Sequence, residues 1–596
     1  MATMKKNIFL KALVGSALLL GSCESLDYID PTHLSDNTFW QTEDHAKQGT
    51  TGVYSLVKSN WAFGLEFMFD QISDLTFSTT TIYGNIARGT SFSSTEGACL
   101  NHWQYVYQVI HSSNTAIRSI TAMDDALFST NSKNIYLAEL RFMRAFSYFE
   151  LINLWGAVPY YDESCIINDQ YQTLNNPRED VATVRGKILD DLKYAIENLP
   201  ISWDSSSYGR VTKGAAYALR GKVYLYAKEY DKAAADFEEI IYNKTNDYGY
   251  ELHPDYNELF RIYNGMRSKE MIFSLQSIDG NVAGYGMDLC TYLGNKGTMR
   301  NIASNHVVPS NTLMEMYEFP DGKPFDWERV DEYSSKPGDF FKGWTTKTPA
   351  EREKLFQVQL DKAGKKIEFY FDADTTKIVD AYRNRDPRCH LNIIAPYAQY
   401  LGSPDQSIPG IMIYVVTNGN GGAPYQTQGF IYNSEGWKSY FCRKWIPTGN
   451  LDGYWGEYNR TPYEFPFIRL GDVILMLSEC YNEMNDLTNA IKELNKIRAR
   501  VNMPKINNGD SWMQVNNKDE MTKRIRDERA RELCLEGHRY FDLKRWGIYG
   551  DVMKDAIDIF GNTVFTRTYD PRMELWPISP YEIERSPALS PNNPGW

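Results

Sequence analysis

Apolar residues recur along much of this chain at the spacing of a helix. The pattern is clearest in residues 134–155, where one apolar residue follows another at steps of 4, 3, 4 and 3: Ala138, Phe142, Ala145, Phe149 and Ile152. Residues at this spacing lie on one face of a helix, and Gly156 supplies a stop. The pattern therefore predicts a long helix with one buried face.

The same period predicts helices elsewhere in the chain. In residues 99–123 it is carried by a stripe that we expect to pack in the core: Trp103, Tyr107, Ile110, Asn114 and Ile117. Asp180 and Thr212 stand where the N-caps of two more helices belong, over 181–199 and from residue 213. Further helices are predicted at 40–58, 467–483, 487–501 and 521–537.

Short breaks between these helices predict paired packing. Part of the tetratricopeptide pattern is present on both sides of a break at 229–231: Gly221 and Tyr224 before it, and Ala233 and Phe237 after it. We therefore expect a mostly α-helical single body over 39–596, with four irregular tetratricopeptide-type helical hairpins. This scaffold is predicted over about 100–260 and 464–547, around a loop-rich insertion region at about 270–460 with only short strands such as 271–276 and 411–416.

The first residues have the pattern of a targeting segment. Lys5 and Lys6 precede an apolar run that ends at Leu20, too short to cross a bilayer, which needs about 20 apolar residues. Leu20-Gly21-Ser22-Cys23 fits the bacterial lipobox. We predict a lipoprotein signal peptide at 1–22, lipidation of Cys23 and a tether over 23–38. The alternative is an ordinary cleaved signal in which this cysteine occurs by chance.

The net negative charge of the chain bears on nucleic-acid binding and on membrane attachment. The chain has 63 basic and 76 acidic side chains, and removal of residues 1–22, which contain three lysines and no acid, moves the net charge from −13 to −16. Nucleic-acid binding needs clustered positive charge, so no nucleic-acid partner is expected. Membrane attachment is then expected to depend on the lipid.

Known catalytic and metal-binding motifs were not found. The chain has no HExxH and no GxSxG, and the seven cysteines after Cys23 are scattered without a CxxC pair. Cys389 and His390 are adjacent, which is poor geometry for one metal, so we predict no cofactor and no metal site, while a loop calcium cannot be predicted. The charges of RIRDERARE (524–532) alternate, so this segment is either a solvated helix face or an internal brace in which Glu528 pairs with Arg531.

Several sequence blocks match one known family in combination. They are CESLDYIDP (23–31), ELRFMRAFSYFELINLWGAVPY (139–160), LDDLKYAIENLP (189–200), TKGAAYALRGKVYLYAKEYDKA (212–233), NRDPR (384–388), YFCRKW (440–445), FPFIRLGDVILMLSECYNE (465–483), RIRDERARELCLEGHRYFDLKRWG (524–547) and ELWPISPYEIERSPALSPNNPGW (574–596). In these blocks the chain resembles the SusD/RagB family of outer-membrane lipoproteins. The resemblance implies a SusD-like fold, with the region of about 270–460 facing the ligand.

The resemblance also implies a function. It predicts a non-enzymatic lipoprotein of the outer membrane, facing the cell exterior, that captures a glycan or oligosaccharide and delivers it to a SusC-like TonB-dependent transporter. Aromatic residues make up 14% of the chain, and an aromatic ring can stack on the apolar face of a sugar. Our candidates for glycan binding are loop aromatics and two polar residues: Trp61, Tyr83, Tyr285, Tyr292, Trp327, Trp344, Asp74 and Arg88.

Three alternatives stay open at this point. A RagB-like lid would bind oligopeptides, which also dock on aromatic side chains. A tetratricopeptide-like scaffold would bind only proteins, and a glycan-degrading enzyme would need a pair of catalytic carboxylates. Each candidate aromatic residue can also belong to local packing, and the aromatics of 432–458, including Trp437, Trp445 and Trp455, are expected to pack in the core or against the transporter.

Overall fold

The computed structural model describes most of the chain after residue 38. The described residues are 39–78, 83–89, 97–166, 174–243, 245–261, 268–277, 288–294, 306–336, 338–360, 367–369, 374–401, 411–417, 426–427, 430–431, 438–446 and 463–596. The predicted signal peptide, the tether and the lipidation site Cys23 lie outside them.

Helices dominate the described residues, as predicted. The α-helices are α1 Glu43–Val57, α2 Gly84–Arg88, α3 Gly97–Ala122, α4 Ser132–Trp155, α5 Val181–Asn198, α6 Lys213–Tyr226, α7 Tyr230–Tyr242, α8 Tyr256–Leu259, α9 Leu289–Leu293, α10 Asn311–Met316, α11 Pro349–Phe356, α12 Thr375–Arg383, α13 Arg388–Asn392, α14 Leu470–Glu483, α15 Leu487–Arg500, α16 Lys518–Leu533, α17 His538–Arg545, α18 Tyr549–Val552 and α19 Pro580–Arg585. No helix in the described part of the chain combines the length and apolarity needed to cross a membrane.

The long helices pack side by side in chain order. Helix α3 packs on α4, α4 on α5, α5 on α6 and α6 on α7, and α7 then packs on α14, which contacts both α15 and α16. The array is therefore continuous in space, although more than 220 residues separate α7 from α14 along the chain. The predicted pairing of helices is observed, whereas the tetratricopeptide assignment of the four hairpins stays a prediction.

Local chemistry sets the ends of these helices. Asp180 accepts a hydrogen bond from the backbone N–H of Thr183, and Thr212 accepts one from that of Ala215, so both predicted N-caps are confirmed. The predicted apolar face of α4 is also confirmed, because its five residues are all buried. Buried apolar faces of this kind supply most of the stability of helices in proteins.

Strands are short and form small sheets. They are β1 Thr76–Ser78, β2 Met271–Leu275, β3 Val307–Pro309, β4 Gln357–Leu360, β5 Ile367–Phe369, β6 Ile393–Ile394, β7 Gln399–Leu401, β8 Ile411–Tyr414, β9 Val416–Thr417, β10 Gln426–Thr427, β11 Phe430–Ile431, β12 Phe441–Cys442, β13 Phe465–Arg469, β14 Ala556–Ile557 and β15 Thr563–Phe565. Four sheets are pairs (β1–β3, β2–β13, β6–β12 and β14–β15), and the others run β10-β11-β8-β7 and β5-β4-β9.

The predicted boundaries of two helices were wrong. Residues 467–469 belong to strand β13, because Phe465–Arg469 is buried throughout and pairs antiparallel with β2, so the helix starts only at Leu470. The helix predicted at 521–537 starts earlier, after the N-cap Asn517, and ends at Leu533. Beyond that end the chain turns through positive φ at Leu535 and Gly537, which an α-helix does not accommodate.

Several of the charged sequence blocks that carry the family resemblance meet in a buried ion network. Arg388 of NRDPR lies 2.6 Å from Glu528 and 3.0 Å from Glu532, both from the α16 block, and none of the three side chains is exposed. Arg469, at the end of β13, lies 2.7 Å from Glu532 and 2.7 Å from Glu536. The network ties the insertion region to the helical array.

The same network decides whether RIRDERARE (524–532) is a solvated helix face or an internal brace. Glu528 pairs with Arg531 at 2.8 Å as expected, and both side chains are buried. Lys444 of YFCRKW joins from the insertion region, 2.6 Å from Glu536. The segment is therefore an internal brace, and the solvated-face alternative is wrong. Of the seven described cysteines, all except Cys165 are buried.

Candidate functional site

Two loop regions start from the same end of one small sheet. Strand β1 pairs antiparallel with β3, and Ser78, the last residue of β1, lies opposite Val307, the first residue of β3. Ser78, where the chain leaves the sheet, and Val307, where it returns, therefore lie at the same end of the sheet. We call the described residues around this end, 58–64, 76–78, 288–294 and 306–309, the loop junction.

Polar contacts tie a third segment to the loop junction. The Lys58 ammonium donates to the carbonyl oxygen of Gln276 at 2.8 Å and to the Ser277 hydroxyl at 3.2 Å. The Asn60 amide donates to the Asp288 carboxylate at 2.6 Å. Residues 277 and 288 flank a segment outside the described residues that contains Tyr285. Both of its ends therefore lie at the loop junction.

Two of the predicted aromatic residues lie in the loop junction and are partly exposed. Trp61 is in a single π-helical turn, Asn60–Gly64. Tyr292 is in helix α9, with its ring centroid 5.4 Å from that of His306. The hydrogen bond from Asn60 to Asp288 joins their two segments, which are 228 positions apart in the chain.

Burial changes the charge chemistry of this region. It lowers the pKa of the Lys58 ammonium to about 8, so this group remains mostly protonated at pH 7. It raises the pKa of the Asp288 carboxyl, although the hydrogen bond from Asn60 opposes the shift. A cationic, an amide and a carboxylate group therefore lie in the same segments as the two aromatic residues.

Three predicted residues next to the loop junction are engaged in packing. Tyr83 is 2% exposed and its ring lies 5.6 Å from that of Phe69. Asp74 is buried and pairs with Arg539 at 2.8 Å. The Arg88 guanidinium lies 4.8 Å from the centre of the Phe565 ring. Tyr83 and Asp74 are buried in these contacts, whereas Arg88 stays partly exposed and remains a candidate.

Trp327 and Trp344 belong to a hydrophobic core. They are 6% and 3% exposed, and their rings stack with centroids 4.4 Å apart at an angle of 25°. Two short 3₁₀ helices, Trp327–Glu332 and Trp344–Thr346, turn them inward. Trp445 is also buried, which agrees with the packing role expected for it, while Trp437 and Trp455 lie outside the described residues.

A groove that sequence reasoning missed lies between α3 and the C-terminal segment. Its volume is about 750 Å³, and it is lined by aromatic and polar side chains that include Trp103, Tyr107, Tyr161, Glu582 and Arg585. Its size is typical of small-molecule sites. The helical stripe that contains Trp103 indicated core packing, which is observed. No sequence signal indicated that the C-terminal residues would leave a gap beside it.

Comparison with family models places the chain in a family. Residues 269–596 match the model of the SusD family, and residues 26–225 match a model described as starch-binding associating with outer membrane. The first match alone covers more than half of the chain. The chain belongs to the SusD family.

Individual relatives are similar over nearly the whole length. The chain is 25% identical to SusD-like protein P25 of Formosa agariphila over 585 residues, 95% of each protein. A SusD-like protein structure from Bacteroides fragilis has a TM-score of 0.70 and 25% identity, and covers 94% of this chain and 99% of its own. A surface glycan-binding protein A structure from Bacteroides thetaiotaomicron, in complex with laminarihexaose, has a TM-score of 0.59 and 19% identity, covers 93% of this chain and 100% of its own, and shares the fold.

Proposed function

We propose that this chain captures a glycan at the cell surface and delivers it to a SusC-like TonB-dependent transporter. A lipid on Cys23 would hold it to the outer membrane, facing the exterior. The observation that carries the proposal is the β1–β3 pairing, which gathers the starts of several loops at one edge in a chain of the SusD family. Relatives with this fold include one solved with laminarihexaose.

The loop junction has the groups that sugar recognition needs. A pyranose ring has an apolar C–H face that stacks on an aromatic ring, and Trp61 and Tyr292 are the partly exposed aromatic candidates there. Its hydroxyls need donors and acceptors, which Asn60, Lys58 and Asp288 supply nearby. The net negative charge of the chain mildly favours neutral over anionic sugars.

The proposed delivery step needs a partner, the SusC-like TonB-dependent transporter. In the proposed mechanism it closes as a lid over the transporter, so that bound glycan is trapped between lid and barrel. The transporter supplies the energy, and this chain binds without catalysing a reaction. Weak binding at a shallow site suits such a transfer.

Affinity gel electrophoresis tests the capture step. The chain without residues 1–23 is run through gels that contain plant, host-mucin or microbial polysaccharides, with laminarin among the last. Retardation by one polysaccharide class supports the proposal and identifies the cargo. Retardation by none, together with binding to oligopeptides, would replace it with the RagB-like alternative.

A pull-down tests the delivery step. The native lipoprotein is solubilised in mild detergent and captured through a C-terminal tag. A co-purifying TonB-dependent transporter is expected, and its consistent absence would argue against the lid mechanism.

A further inference from the structure

Three chemically active side chains from separate elements converge in the core. Glu66 begins the 3₁₀ helix Glu66–Ile72, His102 lies on α3 and Glu150 lies on α4. One ligand atom from each, two carboxylate oxygens and a ring nitrogen, lies within 4.8 Å of the other two. His102 is 2% exposed and Glu150 is 8% exposed.

None of these three atoms has a hydrogen-bond partner. Glu66 Oε1, His102 Nε2 and Glu150 Oε1 are all buried and unsatisfied. His102 Nδ1 lies 3.0 Å from the carbonyl oxygen of Trp61, which can only accept, so Nδ1 carries the hydrogen. In the neutral ring, Nε2 then directs a lone pair toward the two carboxylates. Such an arrangement is unfavourable unless a cation or a proton is placed between them.

A small cavity adjoins the cluster. Two of the three residues, Glu66 and Glu150, line this cavity of about 40 Å³ together with Lys222. The volume is enough for one water molecule or one small ion.

We infer that Glu66, His102 and Glu150 bind one divalent transition-metal ion, with Zn²⁺ the best match. Imidazole and carboxylate together suit zinc, whereas Ca²⁺ and Mg²⁺ take oxygen ligands. Two ligands of a tetrahedral zinc ion, each about 2.1 Å from it, lie about 3.4 Å apart. His102 Nε2 and Glu150 Oε1 are 3.5 Å apart.

The surroundings of His102 fit a metal ligand. A metal-bound histidine usually donates its other ring N–H to a carbonyl or a carboxylate, as His102 does to Trp61. The rings of Phe69, Trp155 and Trp576 lie within about 6 Å of the imidazole and exclude water from that side. A bound ion would therefore link α3 and α4 to the 3₁₀ helix that begins at Glu66, and the hydrogen bond of His102 would connect it to the π-helical turn that contains Trp61.

Isothermal titration of the full chain with Zn²⁺, purified in detergent and stripped with EDTA, tests this site. We expect one Zn²⁺ per chain, a rise in Tm on binding and no binding of Ca²⁺. Glu66→Gln and Glu150→Gln preserve shape, and each should weaken zinc binding by at least about tenfold. Glu197→Gln, which removes an exposed carboxylate from α5, should bind zinc as the wild type does.

Several results would overturn the inference. Absence of stoichiometric binding would mean that a proton and Lys222 balance the carboxylates without a metal. Wild-type zinc affinity in both Gln variants would mean an adventitious surface ion only. X-ray absorption at the zinc edge gives a readout that does not depend on the variants: one nitrogen and two carboxylate ligands are expected, and sulfur ligation would place the ion elsewhere.

Discussion

Arg388 and Glu528 form an ion pair of 2.6 Å in which neither side chain has any exposed surface. Arg388 comes from the insertion region and Glu528 from helix α16, 140 residues later. A buried charge is tolerated only when its partners compensate for the lost hydration. The pair therefore fixes how the insertion region is seated on the helical array, and through it where the loops can lie.

Loss of one partner should be costly. Arg388→Met removes a cation that Asp386, Glu528 and Glu532 share and leaves these three buried carboxylates with one positive charge fewer. We expect a loss of about 3–5 kcal/mol in the free energy of unfolding, measured by urea denaturation. Arg329→Met is the control, because Arg329 pairs with a largely exposed Glu332, and a loss of less than about 1 kcal/mol is expected. Similar effects of the two substitutions would contradict the structural role of the network.

The network also predicts acid sensitivity. Burial alone would raise the pKa of Glu528, but the charges of Arg388, Arg531 and Arg498 outweigh it and hold this pKa well below its ordinary range. A carboxyl with a lowered pKa in the folded state stabilises the fold fully above about pH 4.5, and this contribution is lost as the pH falls through the folded value. We expect the free energy of unfolding to fall steadily below pH 4.5.

The matched variant for this prediction is Glu528→Gln. It should be less stable than the wild type at pH 7 and should show a weaker dependence on pH below 4.5, since it has one titrating group fewer. A wild-type stability that is unchanged between pH 5 and pH 3 would show that the network does not act in this way.

Gly537 allows a close approach that no other residue permits. Its φ is +82°, and a Cβ there would lie 2.2 Å from the carbonyl oxygen of Glu66. Gly537→Ala should therefore lower Tm strongly and disturb the turn that contains Glu66. Gly186→Ala, inside helix α5 with no atom within 4 Å of the added Cβ, should raise stability by about 0.5–1 kcal/mol. If both variants have the same Tm in thermal denaturation, the predicted clash at Gly537 is contradicted.

A substitution of Trp327 tests whether this residue acts in core packing or in glycan binding. Trp327 is stacked on Trp344 and buried, so Trp327→Ala should cost about 3–5 kcal/mol of stability. The fraction that remains folded should still bind glycan with unchanged affinity. A lower affinity at unchanged Tm would restore Trp327 as a ligand-binding residue.

The helical scaffold could be predicted because its signal is local. The stripe of α4 and the caps Asp180 and Thr212 depend on residues a few positions apart, and all three predictions were confirmed. Strand β13 was misread because its partner β2 lies about 190 residues away. Pairing at such a distance leaves no periodic signal.

The candidate site was harder to predict for the same reason. A loop composition rich in aromatics indicated both Trp61 and Trp327, but it could not show that one is partly exposed and the other stacked in a core. The cluster of Glu66, His102 and Glu150 gave no motif, because each residue comes from a different element. Only the folded arrangement brings such groups together.

Isothermal titration with oligosaccharides of the polysaccharide that retards the chain tests the central claim most directly. The account predicts saturable binding by the wild type and an affinity about tenfold weaker or more in Trp61→Ala and in Tyr292→Ala, which corresponds to 1.4 kcal/mol or more. Both variants should remain folded, with a lower Tm in Tyr292→Ala because that ring packs against the core. Unchanged affinity in both variants, with the wild type binding, would contradict the assignment of the loop junction as the site. Absence of binding to every glycan tested would contradict glycan capture itself.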